Sequence, residues 1–289
     1  MSGGEQDWWF GRRTPIEALV EIIVSAIGEG RALSLIRLGD GEGVVMDRPR
    51  ADDVRVRGAF RFWFGEPQVD QATVEQVRGG LRLACESADV LGLPRRSQYE
   101  RSPNYASVFQ ALEQWRLPRP GQHLADAAVH SYLQFGGGIG RILQDQPVVG
   151  VVSSRELAAE LRRRFGIGEV RSWLVRSEPA YPGAQAEPHW PTGFETVMAG
   201  LTVERPGQPF LVGAGPLGKI YCARIKQLGG VALDVGSLLD GWAGVDSRSR
   251  IARHRALFSM ARARLAPGAD MRRALQQACA ETGILDPAF

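Results

Sequence analysis

Lysine is nearly missing from this 289-residue chain: Lys219 and Lys226 are the only two, so almost every cation is an arginine. Cysteine is scarce as well. Cys85, Cys222 and Cys279 are far apart, odd in number and form no C-x-x-C pair, which excludes a disulfide framework and a cysteine-based zinc site. Each lies in apolar surroundings and reads as a small core residue. No apolar run approaches the ~18 residues of a membrane span. The N-terminus lacks the basic, apolar, small-residue order of a signal peptide, so a cytoplasmic location is expected. A net charge of +3 is too small to argue for a nucleic-acid partner. The four histidines show no metal spacing, and no G-x-S-x-G, H-E-x-x-H or Walker A pattern is present.

What the chain does have is alternation of strand and helix patterns. Thr14-Pro15 opens a helix in which Ile16, Leu19, Ile22, Ile23 and Ile27 recur at helical spacing until Gly28 and Gly30. Apolar runs at 32–38, 88–94, 147–152, 169–175, 209–212 and 231–235 read as buried strands. Helices are expected at 71–85, 105–115, 153–165, 192–201 and 219–228. His123 to Leu133 fits either a strand or a helix. Residues 94–104 read as irregular, and the alternating Phe60, Phe62 and Phe64 as core and sheet rather than ligand-binding surface. Beyond Trp242 the pattern is helical and arginine-studded. The expected fold is α/β: one Rossmann-like domain with a mostly parallel sheet flanked by helices, residues 1–243, carrying a helical C-terminal extension, 244–289.

Two glycine-rich stretches carry the chemistry. In Ser34-Leu35-Ile36-Arg37-Leu38-Gly39-Asp40-Gly41-Glu42-Gly43 a buried strand stops at three glycines alternating with two carboxylates. Asp40 and Glu42 are expected to share one side of an extended loop at the strand's carboxyl end, where ligands bind in open α/β sheets. Two hard oxygen ligands there suit Mg²⁺ or Mn²⁺. Later, Gly213, Gly215 and Gly218 match G-x-G-x-x-G between a strand and a helix, with Asp234 ending the next strand. That arrangement suits a nucleotide-derived ligand held at a helix N-terminus. Pro216 weakens the dinucleotide version, because it removes one N–H group from the turn.

Candidate bases are His130, which a helix would set opposite Asp126 at i, i+4, and Glu178 or Glu187 in the loop 177–191. The stretch from Arg248 to Arg264 reads as a solvated helix face, with an anionic-membrane contact as the lesser reading.

Together, Leu35 to Glu42 and the closing elements Leu211 to Lys219 and Leu233-Asp234-Val235-Gly236 resemble the GT-D-fold glycosyltransferases, a bacterial group first described as a domain of unknown function. The resemblance implies metal-dependent transfer of a sugar from a nucleoside diphosphate sugar, a UDP-sugar first, to a glycan, lipid-linked or small-molecule acceptor, with inversion. It assigns Asp40 and Glu42 to Mn²⁺ or Mg²⁺ and the diphosphate. Arg37, Gly39, Gly41, Gly213, Gly215, Pro216, Lys219 and Asp234 would border the donor. Ser237 stands where several relatives carry a histidine. The rival readings are an NAD(P)-dependent oxidoreductase using the 213–218 turn and a non-catalytic nucleotide-binding protein.

Overall fold

The computed structural model describes residues 9–65, 68–176, 187–245, 247, 259, 274 and 277. Helix α1 (Ile16–Gly28) leads into β1 (Leu33–Arg37), then α2 (Asp40–Met46), α3 (Val54–Ala59) and a π-type turn, Phe60–Phe64. Next come α4 (Gln71–Ser87), β2 (Val90–Leu93), α5 (Arg96–Arg101), α6 (Pro103–Gln114) and β3 (His123–Asp126). Helices α7 (Val129–Phe135) and α8 (Gly138–Leu143) precede β4 (Val148–Ser153), α9 (Ala158–Phe165) and β5 (Glu169–Leu174). The described chain closes with a second π-type turn (His189–Gly193), α10 (Phe194–Gly200), β6 (Pro209–Gly213), α11 (Leu217–Gln227), β7 (Val231–Asp234) and α12 (Leu238–Trp242).

The seven strands form one sheet, in the order β3-β2-β1-β7-β6-β4-β5, and every pairing is parallel. Strands in such a sheet are covered on both faces, and alternation divides their side chains between two cores. Ile36, Phe210, Val212 and Ala232 join α4, α6 and α11 on one face. Leu33, Leu35, Leu211 and Leu233 join α1, α7, α9 and α12 on the other. After β1 and β6 the chain leaves toward the first core, and after β4 and β7 toward the second. Adjacent strands that part in this way open a crevice at their carboxyl ends. Here the neighbouring pairs β1/β7, β7/β6 and β6/β4 all part in this way.

Several local expectations are corrected. The acidic loop is the start of a helix, α2, and none of Gly39, Gly41 and Gly43 has positive φ. Gly43 is needed for a different reason: a Cβ there would collide with the Asn104 carbonyl, so its absence lets α2 pack on α6. Phe60, Phe62 and Phe64 are not a strand. Phe60 and Phe64, one turn apart, are buried and meet edge to face at 4.8 Å, while Phe62 is 38% exposed. Residues 94–104 include α5, and His123 to Leu133 holds both a strand and a helix. The helix expected over 153–165 starts later, at Ala158, with Leu157 as its N-cap residue. Cys85 and Cys222 are buried and free. The C-terminal extension falls outside the described residues except for Gly244, Val245, Ser247, Ser259, Ala274 and Gln277. No helix among the described residues is long and apolar enough to cross a membrane.

Candidate active site

These crevices open into one cavity of about 660 Å³ at the carboxyl ends of β1, β4, β6 and β7, a size that suits a small-molecule ligand. Beneath it lies an ion network that joins the two glycine-rich stretches. Lys219, on the first turn of α11, puts its Nζ 2.7 Å from Glu42 Oε1, 3.1 Å from Asp234 Oδ2 and 3.1 Å from the Gly215 carbonyl. Glu42 Oε2 accepts from the Gly39 N–H at 2.8 Å, closing the start of α2. Arg37 donates through its backbone N–H to Asp234 Oδ2 at 3.1 Å, through Nη2 to Oδ1 at 3.1 Å, and through Nε to the Asp234 carbonyl at 2.9 Å. Side chains at this depth are 16% exposed for Arg37 and 3–9% for the other three. Two cations and two anions balance there, as buried charge requires. Burial opposes ionisation of Asp234, yet Arg37 and Lys219 outweigh it and hold its carboxyl below the usual range. Burial likewise opposes the charge on Lys219, and Asp234 and Glu42 outweigh it, raising its pKa.

Gly236 completes the arrangement. It has φ +51°, and a Cβ there would collide with Arg37 Nη2. The Asp234-x-Gly236 pattern is therefore a cradle for Arg37.

Asp40 stands outside this network. It is exposed, and among the described residues its Oδ1 accepts only the neighbouring Gly41 N–H, at 3.1 Å. Residues two apart on a helix face different ways, so Asp40 and Glu42 do not share one side as the sequence reading expected. Of the carboxylates lining the cavity among the described residues, Glu42, Asp234 and Asp240 are ion-paired and Asp40 is not. No cluster of three or more His, Cys, Asp or Glu suited to a metal occurs among the described residues. Mg²⁺ and Mn²⁺ sites of another kind, with one or two carboxylates completed by water and substrate phosphates, remain compatible with Asp40. Glu42 fits less directly, since Lys219 and the Gly39 N–H engage both its oxygens.

The second glycine pattern is built for packing as much as for a ligand. A Cβ on Gly213 would lie 2.8 Å from the Gly236 carbonyl, and one on Gly215 (φ +57°) 2.9 Å from Trp63 Cε3. A Cβ on Gly41 would lie 3.1 Å from Trp63 Nε1. The Trp63 indole thus rests on both glycine stretches at the cavity wall. Pro216 is the N-cap residue of α11.

His130 reaches the cavity, but not as half of a pair with Asp126. Asp126 ends β3, accepts the Ala128 N–H at 2.7 Å and pairs with Arg95 at 2.6 Å. His130 Nδ1 lies 2.9 Å from Arg37 Nη1. Nε2 lies farther from the same nitrogen, at 3.4 Å, and a guanidinium only donates, so Nδ1 is the nearer acceptor. Glu178 lies outside the described residues. Glu187 is described and exposed.

The chain matches the model of the GT-D fold-like domain over residues 14–178, which is more than half its length. It belongs to the GT-D-like family. On that membership the chain is a glycosyltransferase, and the matched span contains Arg37, Asp40, Glu42 and Trp63. Lys219 and Asp234 lie beyond it and join the same site through the sheet. A solved structure described as a domain of unknown function 1792 with a distinct glycosyltransferase fold is 14% identical, with 78% of this chain and 81% of that chain covered and a TM-score of 0.46. No curated protein matches the chain.

Trp63, Arg155, Arg176 and His189 are among the cavity residues of the GT-D-like chain that the sequence reading did not assign to the site. Trp63 was legible as aromatic but not as cavity wall. Arg155 is 7% exposed and pairs with Asp240 at 2.7 Å, and Arg176 follows β5; nothing in their local sequence marks either one. His189, noted only as part of a loop, is buried with Nε2 2.8 Å from the Tyr221 hydroxyl. Burial first, and Arg176 second, lower its pKa to about 4, while burial raises that of Tyr221. The folded protein therefore keeps His189 neutral where the unfolded chain, near 6.5, takes up a proton. Stability from this group is complete above pH 6.5 and declines as pH falls toward 4, by about 3 kcal/mol in all. Urea unfolding at pH 7, 5.5 and 4.5 should show the decline, and His189→Gln should flatten it. Equal stability at the three pH values would contradict this assignment.

Proposed function

We propose that the cavity binds a nucleoside diphosphate sugar, a UDP-sugar first, and passes the sugar with inversion to an acceptor hydroxyl. The acceptor class is a glycan, a lipid-linked saccharide or a small molecule. The observation that carries this reading is Asp40, an unpaired carboxylate on a cavity where every other described carboxylate is neutralised. UDP and inversion come from family analogy.

Asp40 would hold Mn²⁺ or Mg²⁺ together with the donor's phosphates, and the cation would offset charge on the departing diphosphate. The protein's own part is positional. The Glu42–Lys219–Asp234–Arg37 network fixes the start of α2, and so the place of Asp40, relative to the β6–α11 turn. Trp63 offers an aromatic face to a base or sugar ring. Inversion requires the acceptor oxygen to reach the anomeric carbon from the face opposite the diphosphate, with its proton passing to a base.

The dinucleotide reading is disfavoured by specific contacts. Both Asp234 carboxylate oxygens are engaged by Arg37 and Lys219, which leaves them poorly placed to take ribose hydroxyls. Trp63 covers Gly215, where a pyrophosphate would have to approach. A thermal-shift panel with UDP, GDP, dTDP and NAD(P), each with and without Mn²⁺, separates the readings. A ligand that binds only the folded state raises its apparent stability. We expect a shift that needs a nucleoside diphosphate and metal together. A metal-independent shift with NAD(P) alone would overturn the proposal, and binding without turnover on any donor would favour a non-catalytic protein.

A further inference from the structure

Four basic side chains line the cavity among the described residues: Arg37, Arg155, Arg176 and Lys219. Three are neutralised, Arg37 by Asp234, Arg155 by Asp240, and Lys219 by Glu42 and Asp234. Arg176 forms no ion pair with a described residue, and its Nη1 is buried with no hydrogen-bond partner. A buried guanidinium nitrogen without an acceptor is costly and calls for an explanation.

Its position is nonetheless fixed by the fold. Gly65, which ends the π-type turn carrying Trp63, has φ +74°, and a Cβ there would collide with Arg176 Nη1. The left-handed glycine leaves the space that the guanidinium fills. Close by, His189 is kept neutral and adds no charge of its own. Among the described residues the cavity thus has two uncompensated charges of opposite sign, Asp40 and Arg176. A metal-bound diphosphate presents the complement to both.

We propose that Arg176 binds a phosphate group of the donor's diphosphate and steadies it as the leaving group. The inference rests on the donor-site reading above. A guanidinium suits phosphate because its planar fork donates two parallel hydrogen bonds. In the transfer, the bond between the anomeric carbon and the diphosphate oxygen breaks and its electron pair stays with the diphosphate. The acceptor oxygen forms the new bond, and its proton leaves to a base. Negative charge grows on the diphosphate, where a fixed cation acts most strongly.

The test is calorimetric titration of wild type, Arg176→Gln, Arg176→Lys and Gly65→Ala with UDP, uridine and pyrophosphate in the presence of Mg²⁺. Arg176→Gln should lose at least about tenfold in affinity for UDP and pyrophosphate and none for uridine. Arg176→Lys should fall between, because the charge remains while the fork is lost. Gly65→Ala should weaken UDP by displacing an intact guanidinium. The melting temperature of Arg176→Gln should match wild type, since Nη1 has no bond to lose. Unchanged UDP affinity in Arg176→Gln, or equal losses for UDP and uridine, would remove Arg176 from the phosphate site while leaving the donor site standing. A wild type that binds none of UDP, GDP and dTDP would instead sink the donor-site reading itself.

Discussion

Lys219→Met should cost about 3–5 kcal/mol of unfolding free energy, the usual consequence of removing one partner from a buried ion pair. The Lys219 side chain is 5% exposed and touches two carboxylates that are 9% and 3% exposed. Methionine replaces the volume but not the charge, so Glu42 loses its cation and Asp234 keeps Arg37 alone. The cost is electrostatic rather than a packing defect. Urea unfolding at pH 7 measures it, and a loss below about 1 kcal/mol would mean that the network is solvated and contributes little. A double-mutant cycle with Glu42→Gln separates the pairwise part. Because Glu42 also closes the start of α2, Glu42→Gln should reduce stability and turnover together.

Asp40→Asn should behave in the opposite way. Asp40 is exposed and, among the described residues, bonded only to the adjacent Gly41 N–H, so the variant's stability should stay within about 0.5 kcal/mol of wild type. Turnover should fall about 10²–10³-fold, the scale seen when one electrostatic stabiliser of a developing charge is removed. Steady-state kinetics and thermal unfolding on the same preparation check both halves. A stable Asp40→Asn with wild-type turnover would show that Asp40 carries none of the chemistry. The contrast between Lys219 and Asp40 is informative because both belong to motifs that sequence reading assigns to one ligand.

The sheet was legible because parallel strands buried on both faces appear as unbroken apolar runs such as Val148 to Val152. Helix α1 was legible through its regular isoleucines, although it starts at Ile16 with Pro15, not Thr14, as its N-cap residue. The π-type turn at Phe60–Phe64 was not, since a residue pattern of period two fits a strand as well as a wide turn whose first and fifth residues coincide. The geometry of the acidic motif was misread. Glycine alternating with carboxylate suggests an extended loop, whereas Glu42 bonding back to the Gly39 N–H starts a helix.

The largest omission was non-local. Arg37 and Asp234 meet across 197 residues of sequence, and Lys219 reaches back to Glu42 across a comparable distance. Spacing within a motif carries no information about such pairs. Each half was noticed as a ligand-binding motif, while the structure shows much of each motif spent on holding the other in place. Arg155 and Arg176 were invisible for a related reason: in a chain with 35 lysines and arginines, nothing local distinguishes an arginine that reaches a cavity from one on a solvated helix.

The most direct measurement is release of nucleoside diphosphate from a panel of nucleoside diphosphate sugars, with Mn²⁺ and with a chelator, on wild type and Asp40→Asn. The account predicts release from one donor class, strongest with an acceptor present, abolished by the chelator and reduced about a hundredfold or more in the variant. Release that persists in the chelator and in Asp40→Asn alike would contradict it.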